Sequence, residues 1–385
     1  DDKVVYQKVA YYRGTELYID GNYSGALVLF NKSLAERNNQ TFTAKATYWK
    51  AECDYNLENF SEALIGYKEF KGMAAAKNTA EYENIDYNIA YTYFKRKEYA
   101  TAIDAFKNYA EKSNIPKTQK NDAYLRLGDS YFVTSDYWSA MEAYNKAIAM
   151  KGIDSDYAYF QKAISYGFVD KNDRKIEDLE AFLSKYNKSI YRDDAYYELG
   201  NTYVATGNTQ KAIQSYNKLI NEQSSSSFVS KALLKQGLIY YNNDQGAEAL
   251  QKFKKVVQDY PGTEEANQAV KTARVVYVDL GRTDEYAAWV STLDFVEVSD
   301  SDIDNATYEA AENQFIENST TAAKKGFKKY LNDFPNGLHA LSAHFYLGQL
   351  QFRDEEKDQA IPHYKYVVEQ SRSEFTEQAL ARLSQ

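Results

Sequence analysis

Three histidines, His339, His344 and His363, are the residues of this 385-residue chain whose type first suggests metal chemistry, since neutral imidazole is a common ligand. Their spacing argues against a site. His339 and His344 are five apart, about 140° round a helix, so one metal cannot take both from one face. His344 and His363 fall on facing helices and can approach, but no third ligand accompanies them. Asp300, Asp302 and Asp304 reproduce the opening of a calcium loop. The sixth and twelfth places of such a loop need glycine and glutamate and here hold Asn305 and Ala311, so the run reads as an acidic cap for a helix start. Cys53, the only cysteine, has no histidine near it in the chain and reads as a packed, inert thiol. The glycines are dispersed, and no phosphate-binding loop forms from them. The chain is therefore expected to be no enzyme, with no catalytic residue, cofactor or metal.

What remains is aromatic. Tyrosine occurs 37 times, and it suits thin two-layer structures because it buries a ring while keeping its hydroxyl wet. Only 4 prolines and 17 glycines interrupt a sequence that is 44% hydrophobic and 26% charged, which suits a mostly helical chain. The net charge of −9, without a lysine or arginine block, gives no electrostatic footprint for nucleic acid. No apolar run approaches the roughly 20 residues that span a bilayer.

The elements that position the tyrosines recur. Small residues before a tyrosine-rich turn, Gly14, Ala51, Ala90, Gly128, Ala163, Gly200, Gly237, Arg274, Ala311 and Gly348, lie 35 to 39 residues apart, mostly 37. Twelve residues after these anchors, eight of ten positions are alanine, with Lys175 and Tyr286 the exceptions. Sixteen after them stand Phe30, Tyr67, Phe106, Tyr144, Leu179, Tyr216, Phe253, Val290, Phe327 and Tyr364. Positions +12, +16 and +19 form one helical stripe, and the rings at −3 and +4 mark a second helix before it. A short polar turn such as Thr206-Gly207-Asn208-Thr209 separates the two. Such a hairpin cannot bury its own faces, so neighbours must stack.

These residues resemble the tetratricopeptide repeat family, over essentially the whole chain. The run Tyr196-Tyr197-Glu198-Leu199-Gly200-Asn201-Thr202-Tyr203, followed by Ala212 and Tyr216, is similar to its helix-turn-helix unit. The resemblance implies an all-α fold, a right-handed superhelix (α-α solenoid) of about ten helix-turn-helix repeats. The turns Tyr260-Pro261-Gly262 and Phe334-Pro335-Asn336 resemble those of periplasmic tetratricopeptide proteins of the outer-membrane assembly and Tol-Pal systems. That implies a bacterial periplasmic or outer-membrane-associated setting.

Departures mark irregular places. Lys175 must snorkel out or force its helices apart. The eighth repeat, with Arg274, Tyr286 and Lys271 at positions that want small or aromatic residues, is expected to be splayed. Phe295-Val296-Glu297-Val298 reads as extended. The expected organisation is repeats one to eight over 1–293, an irregular acidic connector over 294–304, and repeats nine and ten with a terminal helix over 305–385. Pro362 is tolerable only near the first turn of its helix. The final residues begin an eleventh first helix without a second, so the natural protein is expected to extend further on at least one side.

In this family the first helices form the concave surface, at offsets −6, −3, +1, +4 and +5. Tyr11, Tyr18, Tyr48, Glu52, Tyr55, Tyr87, Tyr91, Phe94, Asp129, Tyr197 and Asn201 are the candidate partner-binding residues. They would grip an extended peptide or protein as a non-enzymatic scaffold. The competing readings are that the rings pack between repeats, that they serve as platforms for a glycan, or that the chain is the docking region of a larger envelope or secretion protein.

Overall fold

The computed structural model describes residues 2–297 and 299–384, which form twenty-one α-helices and, among the described residues, no strand. The first five hairpins are α1 (Asp2–Ile19) with α2 (Tyr23–Ala35), α3 (Gln40–Asn56) with α4 (Phe60–Gly72), α5 (Ile85–Lys95) with α6 (Tyr99–Ala110), α7 (Lys117–Val133) with α8 (Tyr137–Ala149), and α9 (Ser155–Gly167) with α10 (Asn172–Lys185). Then come α11 (Arg192–Ala205) and α12 (Thr209–Glu222), α13 (Phe228–Asn242) and α14 (Gly246–Asp259), and α15 (Glu264–Asp279) and α16 (Thr283–Val290). The last are α17 (Asp300–Ile316) and α18 (Thr320–Asp333), α19 (Ala340–Arg353) and α20 (Lys357–Glu369), and the single α21 (Thr376–Leu383). Packing divides the chain into two compact units, one ending at Thr202 and one starting at Tyr203, each an α-α solenoid of stacked hairpins.

Close approach of the two helices in a hairpin explains the anchor. In the first unit a Cβ on Gly14 would lie 2.9 Å from Phe30 Cε1, and one on Gly128 2.5 Å from Tyr144 Cε1. In the second unit a Cβ on Gly237 would lie 2.4 Å from Phe253 Cε1. The ring at +16 thus occupies the space a side chain at the anchor would need. Where the anchor is alanine, the missing atom can move across the contact. A Cβ on Gly66 would come 2.8 Å from that of Ala51, and one on Gly326 2.8 Å from that of Ala311. The alanines at +12, among them Ala26, Ala63, Ala102 and Ala140, are completely buried in the same seam.

All ten hairpin turns place their +7 residue in the left-handed region, with φ between 56° and 77°: Gly21, Glu58, Lys97, Ser135, Asp170, Gly207, Asp244, Gly281, Asn318 and Glu355. The amide of that residue donates to the carbonyl at +4, and the next amide to the carbonyl at +3, as in Lys97 to Phe94 (2.9 Å) and Glu98 to Tyr93 (3.0 Å). These paired bonds are the Schellman closure of a helix. The +8 residue then begins the second helix, and Asn22, Asp136 and Asn208 cap it through their side chains. A three-residue turn with this bonding leaves the hairpin little freedom.

The irregular places resolve individually. Lys175, 9% exposed, runs past Gly167, whose missing side chain makes room for it, and its Nζ reaches Glu198 Oε2 at 2.6 Å. The eighth hairpin keeps its turn but α16 spans only 8 residues, and Arg274 reaches out to Glu309 at 3.0 Å. The expected extended segment is not a strand: residues 294 and 295 lie in a turn, 296 and 297 are irregular, and Val298 lies outside the described residues. Helix α17 starts at Asp300, inside the expected connector, because Ser299 and Asp302 cap each other reciprocally. Pro362 lies past the first turn of α20, on an exposed face where water can reach the carbonyl it leaves unbonded. Between the second and third hairpins, two 3-10 segments, Ala74–Asn78 and Ala80–Asn84, absorb the longest spacing of 39 residues.

A left-handed conformation costs a residue with a Cβ about 1–2 kcal/mol. Lys97→Gly should therefore raise stability by about 1 kcal/mol, and Gly21→Ala should lower it by a similar amount. Urea unfolding checks both, and loss of stability in Lys97→Gly would mean that its side chain holds the turn.

Candidate interaction surface

The candidate residues of the first unit separate into three structural roles. Two of the rings at −3 are core, Tyr11 and Tyr48 being 6% and 7% exposed, while Tyr87 and Tyr197 at the same offset are half-buried. Tyr11 packs on Phe30, the +16 ring of its own hairpin, and on Phe42 of the next hairpin, while Tyr48 packs on Tyr67 and Phe70, the +16 and +19 rings of its own. Rings at +4 brace the turn against the ring at +9. Tyr18 meets Tyr23 at 5.2 Å, Tyr55 meets Phe60 at 5.4 Å and Phe94 meets Tyr99 at 5.7 Å, all edge to face. In the fifth repeat Gly167 and Asn172 break this pairing, and Phe168 instead stacks on Tyr137 of the fourth at 4.7 Å.

The third role belongs to carboxylates that gather phenols from neighbouring repeats. Glu52 accepts hydrogen bonds from Tyr67 (2.9 Å), Tyr18 (3.4 Å) and Asn88 Nδ2, joining the first three repeats. Asn88 also donates to the Tyr48 hydroxyl at 2.8 Å. Among the described residues no lysine or arginine forms an ion pair with Glu52, and burial pushes its pKa upward. Further along, Asp122 accepts from Tyr87 (2.7 Å) and Tyr91 (3.2 Å), while Asp129 accepts from Tyr144 (2.9 Å) and Tyr157 (2.8 Å). Arg126 donates to both carboxylates and ties the third, fourth and fifth repeats together. Asp129 is 8% exposed, and burial raises its pKa against the pull of the guanidinium. Tyr197 and Asn201 sit half-buried on α11.

Sequence reasoning missed Asn88, Asp122, Arg126 and Tyr157 as members of these clusters. Asp122 and Tyr157 stand at −6, an offset already assigned to the inner surface, while Asn88 and Arg126 stand at −2. A second signal was available. Where +16 is tyrosine, +1 is Glu52, Asp129, Asn201 or Gln349. Where +16 is phenylalanine or aliphatic, +1 is Thr15, Tyr91, Ile164, Leu238 or Val275, with one exception, Glu312, which accepts from Tyr308 at 2.9 Å. A buried phenol needs an acceptor, and for Tyr67 and Tyr144 the +1 carboxylate supplies it.

The residues that first suggested chemistry have structural partners. Cys53 is fully buried, and burial pushes its thiol up to about 12. Asp302 caps α17, and Asp304 accepts from Tyr330 and from the Leu338 amide (2.8 Å). His339 stacks on Tyr308 at 4.2 Å. His344 and His363 meet Nδ1 to Nδ1 at 2.8 Å, and burial pushes His344 down to about 4. Among the described residues no three His, Cys, Asp or Glu side chains gather as a metal site, and no helix is long and apolar enough to cross a membrane.

Tetratricopeptide repeat models match residues 87–157, 193–225 and 231–263. The C-terminal part of a tetratricopeptide repeat-containing protein from Cytophaga hutchinsonii is similar in structure, with a TM-score of 0.56, 15% identity, and coverage of 67% of this chain and 98% of that one. RapI in its apo form is similar at a TM-score of 0.51, 13% identity, and coverage of 85% and 96%. A search of curated proteins returns no match. These findings lend no support to the narrower resemblance to outer-membrane assembly or Tol-Pal proteins. The tetratricopeptide repeat is generally a non-enzymatic scaffold fold, typically used for protein interaction. Residues 87–157, 193–225 and 231–263 are tetratricopeptide repeats, set in an all-α fold built throughout from the same hairpin.

Proposed function

We propose that the chain is a non-enzymatic scaffold whose first unit receives an extended, basic segment of a partner protein along its first helices. One observation carries this reading: three carboxylates, Glu52 on the second repeat and Asp122 and Asp129 on the fourth, lie along the first helices with the single guanidinium of Arg126 among them. Half-buried rings, Tyr18, Tyr55, Tyr87, Tyr91 and Phe94, flank the line. A partner's lysine or arginine would pair with Glu52 and lie against tyrosine, and both interactions favour a cation. A glycan platform needs open ring faces, whereas the rings at +4 are engaged with those at +9. A bacterial envelope setting is supported by the turns Tyr260-Pro261-Gly262 and Phe334-Pro335-Asn336.

Fluorescence anisotropy with capped peptides tests the surface. A lysine- and arginine-containing peptide should bind more tightly than its glutamine counterpart, and Glu52→Gln with Asp122→Asn should weaken it about tenfold. Equal affinity for both peptides, or indifference to the two substitutions, contradicts the reading.

Stability gives an independent measure of Glu52. Its pKa is raised in the fold, so its contribution is fully present below about pH 4.5 and is lost as pH rises through the folded value. The stability of the natural chain relative to Glu52→Gln should therefore fall from about pH 4.5 upward and level off once the carboxylate is ionised. Urea midpoints of both proteins from pH 4 to pH 8 check this, and a constant difference would show that Glu52 is not strained by burial.

A further inference from the structure

The two helices of the tenth hairpin are joined by a different polar contact from those of the second and fourth. There the +1 carboxylate accepts the phenol at +16, Glu52 from Tyr67 and Asp129 from Tyr144. In the tenth, among the described residues, the Tyr364 phenol is buried without a hydrogen-bond partner. The one side-chain hydrogen bond described between α19 and α20 is instead the 2.8 Å contact of His344 Nδ1 with His363 Nδ1. Tyr366 stacks on the His344 ring at 3.9 Å and holds its orientation. Among the described residues no carboxylate pairs with either ring, and the charged side chain that bears on the pair is Lys328 of α18, through His363.

The contact limits the protons that the pair can hold. Two neutral rings make it only when one Nδ1 carries a hydrogen and the other offers its lone pair. A first added proton goes to the free Nε2 of the donor ring and leaves the bond in place. A second must take the accepting Nδ1, which turns both facing atoms into donors and sets two cations side by side. Burial holds both imidazoles below their ordinary range, His344 at about 4 with the His363 ring adding to the effect.

We propose that the pair is an acid-sensitive latch: uptake of the second proton breaks the contact between the two Nδ1 atoms and loosens the tenth hairpin ahead of the rest of the second unit. What the latch covers is apolar. Phe345, Tyr364 and Val367 of the hairpin pack with Ala379 of α21, and Phe375 stacks on Phe345 at 4.5 Å, so opening uncovers this cluster and frees α21. Because the fold favours the neutral rings, their contribution is complete above about pH 6.5 and is lost as pH falls through the folded values. The latch is independent of the surface proposed for the first unit.

Hydrogen exchange of the full chain, followed by mass spectrometry and corrected for intrinsic rates, tests the latch from about pH 7 down to about pH 4. Carboxylates titrate in the same interval, so the natural chain is compared with His363→Gln, whose amide offers a donor to His344 Nδ1 and takes up no proton. Across this range protection of α19, α20 and α21 should fall about tenfold further in the natural chain than in His363→Gln, while α13 and α14 change alike in both. Lys328→Gln, at an exposed site on α18, should move the opening toward neutral pH, because removing the cation lets His363 take its proton earlier. Equal loss of protection in the natural chain and His363→Gln overturns the proposal. So does an opening that Lys328→Gln leaves unmoved.

Discussion

A glycine or alanine on one helix facing an aromatic ring on the next is the contact from which the rest of the molecule follows. Because Gly128 has no Cβ, the Tyr144 ring can lie directly over its helix, and Gly237 does the same for Phe253. That closeness fixes the separation of the two helices, and the Schellman turns fix their connection, so each hairpin is a stiff block. Stiff blocks with two apolar faces can only stack, and stacking produces the solenoid.

The same contact has a chemical consequence. A tyrosine laid over the anchor carries its hydroxyl to the neighbouring +1 position, where Glu52 and Asp129 accept it. Those carboxylates are then partly desolvated and collect further donors from the repeats on either side: Tyr18 and Asn88 for Glu52, Tyr157 for Asp129. The network that satisfies the core thereby binds successive repeats together and leaves anionic, tyrosine-flanked ground along the first helices. On the reading proposed above, packing and recognition would share one set of side chains, which is why substitutions there need a stability readout beside a binding one.

The repeat was legible because small and aromatic residues recur at fixed offsets, a pattern set by helix contact rather than by any one residue. The turns were less so. Their left-handed position is held by Glu58, Lys97 or Glu355 as often as by glycine, and those residues carry no turn signal of their own. Phe295 and Val296 invited an extended reading through propensity, and the capping pair Ser299 and Asp302 started a helix close behind them instead. The rings at −3 and +4 share one spacing, so sequence alone did not tell that Tyr48 turns into the core while Tyr18 braces a turn and touches Glu52. The clusters around Asp122 and Arg126 stayed hidden because their members come from three repeats, and only the stack brings them together.

The dependence of the fold on the small-against-ring contact is open to one direct measurement, a double-mutant cycle of Gly128→Ala and Tyr144→Leu read by urea unfolding. In the natural background Gly128→Ala should cost about 2 kcal/mol, since the added methyl overlaps the ring. With leucine at 144 the same substitution should cost nothing or add a few tenths of a kcal/mol through helix propensity. An equal cost in both backgrounds would contradict the account, because the anchor would then be small for a reason unconnected with the ring above it.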